Sequence, residues 1–163
     1  MGENSEFSRI LDDTEFRIKK SQYAHWRARD VLDAYALWST VANVAGGAVV
    51  SAVSATLITP GAPNALFGVD FKLVLLCAGA GVSVVSILQS VLKWSERAQS
   101  HFLAANAYSS LRREIEVLRL AAADGGDATA QLEVIILKLR DLSETAPPVP
   151  AGLWNRAVRG LTK

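Results

Sequence analysis

The sequence predicts an all-α protein, a two-helix transmembrane hairpin continuous with a cytoplasmic helical bundle. Three observations carry that prediction. No charged side chain lies between Asp33 and Asp70, and none between Lys72 and Lys93. The flanking residues 5–33 and 93–123 are charged and free of proline and glycine. In those flanks the apolar residues recur at spacings of three and four, the period of a helix that buries one face.

A bilayer core takes roughly 20 apolar residues at about 1.5 Å rise each, and residues 36–58 and 73–92 both supply that length. The competing reading, a buried pair of helices in a soluble protein, would show a polar face along each helix. Thr59, Pro60, Gly61, Ala62, Pro63 and Asn64 mark the turn between the spans, because proline lacks a donor and glycine tolerates unusual dihedrals. Residues 65–71 are short and mildly apolar and are expected at the far interface, so nothing large is displayed there. Of the 17 Lys and Arg, only Lys72 falls in this connection, whereas Lys19, Lys20, Arg27 and Arg29 precede the first span and Lys93 and Arg97 follow the second. The positive-inside rule then places both termini in the cytoplasm, with Trp38 and Trp94 at the cytoplasmic membrane edge.

Residues 1–33 read as an amphipathic cytoplasmic helix. Phe7, Ile10, Leu11 and Ile18 form one stripe, and Phe16, Tyr23 and Trp26 an adjoining one. With no proline or glycine from Ser5 to the membrane, this helix and the first span can form one rod. Its charge density excludes a cleaved signal peptide as the expectation for this end. His25 and His101 are solitary in sequence and read as packing residues rather than metal ligands.

Within the hairpin (residues 34–92, with spans at about 36–58 and 73–92), Ser39, Asn43, Gly47 and Ser51 form a small, partly polar stripe at four-residue intervals. Gly79, Ser83, Ser86 and Ser90 form a second at spacings of four, three and four. Small residues let membrane helices approach closely and hydrogen-bond across, so these stripes serve helix packing; lining a pore is the alternative. One hairpin encloses nothing, so conduction would demand several copies. With no Asp, Glu, Lys, Arg or His inside the spans, a proton relay, voltage sensor or coupled pump is disfavoured.

Residues 93–145 read as a cytoplasmic helical hairpin. The second span is expected to run on without a break from Leu73 to Ala123, a rod of about 50 residues and roughly 75 Å. Tyr108, Leu111, Ile115 and Leu118 form a coiled-coil seam on it. Asp124, Gly125, Gly126 and Asp127 end it, and residues 128–145, with Leu132, Ile135, Leu139 and Leu142 at heptad spacing, fold back antiparallel. Residues 146–163 are a spacer with Pro147, Pro148 and Pro150, followed by a basic amphipathic tail carrying Leu153, Trp154, Val158 and Leu161 with Arg156, Arg159 and Lys163. That composition suits an interfacial helix on anionic lipid, or a tail that caps the bundle.

Composition narrows function. Outside the spans about 100 residues remain, too few for an enzyme's usual core. There is no phosphate loop, no histidine pair at metal spacing and no nucleophile set beside a base, so the chain is read as a non-enzyme without a cofactor. A net charge of +1 gives no bulk attraction to nucleic acid. Cys77, the sole cysteine, allows no intramolecular disulfide.

The stretch Tyr108, Leu111, Arg112, Arg113, Glu114, Ile115 and Glu116, in the pattern Tyr-x-x-Leu-Arg-Arg-Glu-Ile-Glu behind an amino-terminal helix and a tight membrane hairpin, resembles the SLATT family. These are bacterial two-helix membrane effectors associated with nucleotide-second-messenger synthases and sensors. The resemblance implies a multi-pass protein of the bacterial inner membrane, a homo-oligomer in lipid, that permeabilises the bilayer during antiphage defence. It also implies a nucleotide second messenger or a sensor protein acting in trans, since no nucleotide-binding domain is visible. Residues 108–116 are then the assembly or signal-receiving segment, with pairing of Arg112 and Arg113 to Glu116 along the helix as the simplest local explanation. The alternative function is a non-conducting membrane scaffold that recruits a partner through its cytoplasmic bundle.

Overall fold

The computed structural model describes residues 3–60, 65–66, 68–123 and 128–161, and they are almost entirely helical, so the all-α class holds. The elements in order are α1 (Glu3–Ile58), β1 (Ala65–Leu66), β2 (Val69–Asp70), α2 (Phe71–Leu92), α3 (Trp94–Ala123), α4 (Thr129–Thr145) and α5 (Ala151–Leu161). Expected turn residues Gly61, Ala62, Pro63 and Asn64, and Asp124, Gly125, Gly126 and Asp127, lie outside the described residues, as do Lys163 and the side chains of Val158 and Leu161. The chain divides into two compact units, a polar one comprising Met1–Val31 with Glu96–Lys163 and an apolar one comprising Leu32–Ser95.

In the polar unit α1, α3 and α4 share one core. Leu11 and Ile18 of α1 meet Tyr108, Leu111, Ile115 and Leu118 of α3 and Leu132, Ile135 and Leu139 of α4, with Phe7 and Leu142 packed against them. Ile18 and Ile115 are fully buried; each stabilises the fold by about 1.5–3 kcal/mol relative to exposure. The α1 seam differs from the expected stripe, because Ile10 is partly exposed and Thr14 is buried in its place. Spacing explains this: 7, 11, 14 and 18 keep one face, and Thr14 tolerates burial by donating its hydroxyl to the Ile10 carbonyl at 2.8 Å. The same seam continues to His25 and Ala28, both buried.

At the carboxyl end, the Pro150 carbonyl accepts the Leu153 and Trp154 N–H groups at the start of α5. This tail helix packs on the polar unit: Ala157 is fully buried, and Lys20 Nζ lies 4.9 Å from the Trp154 ring.

In the apolar unit α1 continues as a helix to Ile58 with no break where charge ceases. Beyond the turn, β1 and β2 pair antiparallel, Ala65 with Asp70 and Leu66 with Val69, around Gly68 at φ +81°. Such a two-residue ladder is too short to leave a periodic signal in sequence. Asp70 then caps α2 by accepting the Lys72 N–H at 2.8 Å. Both helices of this unit are long and apolar enough to cross a membrane, and none of their apolar window is buried. Trp38 and Leu76 stand 69% and 70% exposed, apolar surface that a water-soluble helix would cover.

The uninterrupted rod expected from Leu73 to Ala123 is broken. Lys93 adopts the left-handed conformation (φ 47°, ψ 46°) and donates its backbone N–H to the Gln89 carbonyl, closing α2 before α3 begins at Trp94. A non-glycine residue pays roughly 1–2 kcal/mol for that conformation. The new start brings the Trp94 ring 6.0 Å from Tyr35 of α1.

At Gly46 α1 comes close against α2, since a Cβ there would collide with the Val82 side chain, whereas Gly47 faces open space. Gly46→Val is expected to destabilise the α1–α2 pair by about 1–3 kcal/mol, the usual cost of overpacking. Gly47→Val should lose much less. Thermal unfolding of both variants in detergent checks this.

Candidate functional site: an amide chain and a histidine pair

Four polar side chains of the apolar unit form a directed chain of hydrogen bonds. Ser86 Oγ donates to Asn43 Oδ1 at 3.4 Å. Asn43 Nδ2 donates to Gln89 Oε1 at 3.0 Å. Gln89 Nε2 donates to Thr40 Oγ1 at 3.3 Å, and Thr40 donates to the Ala36 carbonyl at 2.9 Å. Each amide thus serves as acceptor on one side and donor on the other, and the chain ends on a backbone carbonyl. It ties α1 to α2 three times.

Of the two small-residue stripes, this chain unites Asn43 and Ser86. Ser39 is buried and bonds within its own helix to the Ala36 carbonyl, and Ser83 to the Gly79 carbonyl, each at 2.8 Å. Ser51 and Ser90 are exposed, and Gly79, like Gly47, has open space where a Cβ would sit. Spacing alone missed Thr40 and Gln89 as members of a site. For Gln89, as for Asn43, the signal was chemical: they are the most polar groups of the two spans, and an amide shielded from water needs a partner.

In the polar unit the segment 108–116 splits by side. Tyr108, Leu111 and Ile115 enter the core. Arg112 Nε lies 3.1 Å from Glu116 Oε1, off the angle of a hydrogen bond. Arg113 and Glu114 line a groove with α4, where Glu114 accepts from Lys138 Nζ at 2.7 Å. On the side toward α1, Arg119 donates to Asp12 at 2.7 Å and Glu15 at 2.6 Å. The hydrogen bond from Lys19, with the positive charges of Lys19, Arg119 and Arg112, holds the Glu15 carboxyl below its ordinary range against the opposing effect of burial.

His25 and His101, far apart in sequence, meet. Both are buried, at 3% and 5% exposure, and their Nδ1 atoms are 2.9 Å apart. One imidazole donates and the other accepts, so the bond exists only while at least one Nδ1 is unprotonated. Tyr108 stacks on His25 with centroids 5.5 Å apart. Alongside, Trp26 and Phe102 meet edge to face at 5.5 Å under the Arg29 guanidinium. Burial, reinforced by the neighbouring imidazole, lowers His25 to about 4. Burial also lowers His101 and raises Tyr108. Among the described residues no third ligand-type side chain joins the pair to make a metal site.

Two outcomes follow from this geometry. Asn43→Leu and Gln89→Leu should each destabilise the α1–α2 pair by about 0.6–2 kcal/mol, and the double variant by little more than either, because they share a bond. A double-mutant cycle in detergent checks the coupling. For the histidines, the unfolded chain takes up protons near pH 6.5, whereas folded His25 resists until about pH 4. The unfolded state therefore binds more protons in that window, and stability falls as pH falls through it. Melting curves read by circular dichroism should show this slope, and His25→Phe combined with His101→Leu should flatten it.

Comparison of the chain with family models, with curated proteins and with solved structures gives no match.

Proposed function

We propose that the chain is an oligomeric effector of the bacterial inner membrane that disturbs the bilayer when its cytoplasmic helices are triggered. In this reading residues 36–58 and 73–92 form a hairpin through the membrane. The excess of Lys and Arg outside the spans keeps both termini, and the polar unit, in the cytoplasm. One observation carries the proposal: the apolar unit bares large aliphatic and aromatic side chains all round, so its natural solvent is lipid, and two helices alone enclose no conduit. A path across the membrane requires several copies, with hydroxyls such as Ser51 and Ser90, exposed in a single copy, available to face water or one another. The SLATT resemblance supports the same conclusion. It also names the class of trigger, a nucleotide second messenger or a sensor protein acting in trans. The chain works without a cofactor and catalyses no reaction.

The amide chain favours a second reading, a non-conducting scaffold, because its hydrogen bonds close between α1 and α2 and give both amides their partners within one copy. The two readings part in liposomes. An effector releases an entrapped dye when purified protein and the correct trigger, drawn from candidate cyclic nucleotides, are added together. A scaffold leaves the vesicles tight, and its function survives replacement of residues 34–92 by an unrelated two-span anchor.

A further inference from the structure

The core of the polar unit uses only one face of α3 and α4. On the other face Val117 and Leu120 of α3 are 65% and 69% exposed, and Val134 and Leu137 of α4 are 50% and 55% exposed. Val117 and Leu120 stand three residues apart on α3, as do Val134 and Leu137 on α4, so each pair lies on one side of its helix, away from the buried seam. Between them runs a groove of about 410 Å³ lined by Arg113, Glu114, Val117, Gln131, Val134 and Ile135.

We propose that this face is the docking surface for a second copy of the chain. The charges at its edge select the occupant. Arg113 and the Glu114–Lys138 ion pair place both signs beside the aliphatic strip. Anionic lipid or nucleic acid would call for a one-signed basic rim. Two identical faces related by a two-fold axis instead bring Arg113 of one copy to Glu114 of the other, twice, while the valines meet at the axis. The chain's own remaining amphipathic helix, α5, is engaged elsewhere, with Trp154 beneath Lys20. Four aliphatic side chains fall short of the roughly 800 Å² per partner of a standard interface. Pairing therefore depends on tethering of both copies in one membrane, which raises their effective concentration; in that respect the inference rests on the proposed membrane location.

The test uses the full chain in liposomes on a Cys77→Ala background. Val134→Cys and Val117→Cys should each form disulfide-linked dimers on mild oxidation, and Asp13→Cys, exposed on α1, should not. Val117→Arg with Val134→Arg, both at exposed positions, should cut the cross-linked fraction at least tenfold at an unchanged helical circular dichroism signal, read with a neutral amine-reactive linker. Absence of dimers at 117 and 134, or oligomers unaltered by the double arginine variant, overturns the proposal. Dye release separates the two ideas: leakage without these cross-links sinks the surface and leaves the effector, whereas cross-links without leakage under any trigger leave the surface and sink the effector.

Discussion

The hydrogen bonds from Ser86 through Asn43 and Gln89 to Thr40 decide how α1 and α2 meet, and little else in the apolar unit could. Leucine and valine faces are interchangeable as partners, so they set no unique register. An amide has no such freedom, because leaving it unpaired away from water costs more than the bond itself yields. The contact at Gly46 is the steric counterpart: the missing side chain lets Val82 approach, and the amides fix the height at which it does. Register comes from the polar groups and closeness from the glycine.

A related logic operates in the polar unit with a different result. Its seam residues on α1 and α3 are aliphatic where α4 joins them and polar or small farther along, at His25, Ala28, Ala98, His101 and Ala105. The aliphatic part supplies most of the stability. The imidazole pair supplies specificity, since a one-position slip of either helix would leave a buried ring nitrogen without its partner. It also makes that end of the core sensitive to protons, which the aliphatic end is not.

Much of this was legible in the sequence because burial and helical period leave a compositional trace. The charge-free stretches marked the two long apolar helices, and Leu111, Ile115, Leu118, Leu132, Ile135 and Leu139 announced their shared core by spacing alone. Other features left no trace of that kind. Thr14 and His25 occupy seam positions that a count of apolar residues passes over. Gly46 and Gly47 are neighbours of the same type, and only the position of Val82 tells them apart. The break at Lys93 falls on a residue with no turn propensity, where sequence offers neither proline nor glycine to mark it. Asn43 was identifiable as a polar group at depth, but its partners depended on which faces of α1 and α2 came together.

The distribution of tryptophans gives the molecule built-in optical reporters. Trp26, edge to face with Phe102, and Trp154, beneath Lys20, belong to the polar unit, while Trp38, almost bare, and Trp94, beside Tyr35, belong to the apolar one. Because these environments differ so much in polarity and quenching neighbours, emission from chains retaining a single indole would follow each half separately, with no dye attached.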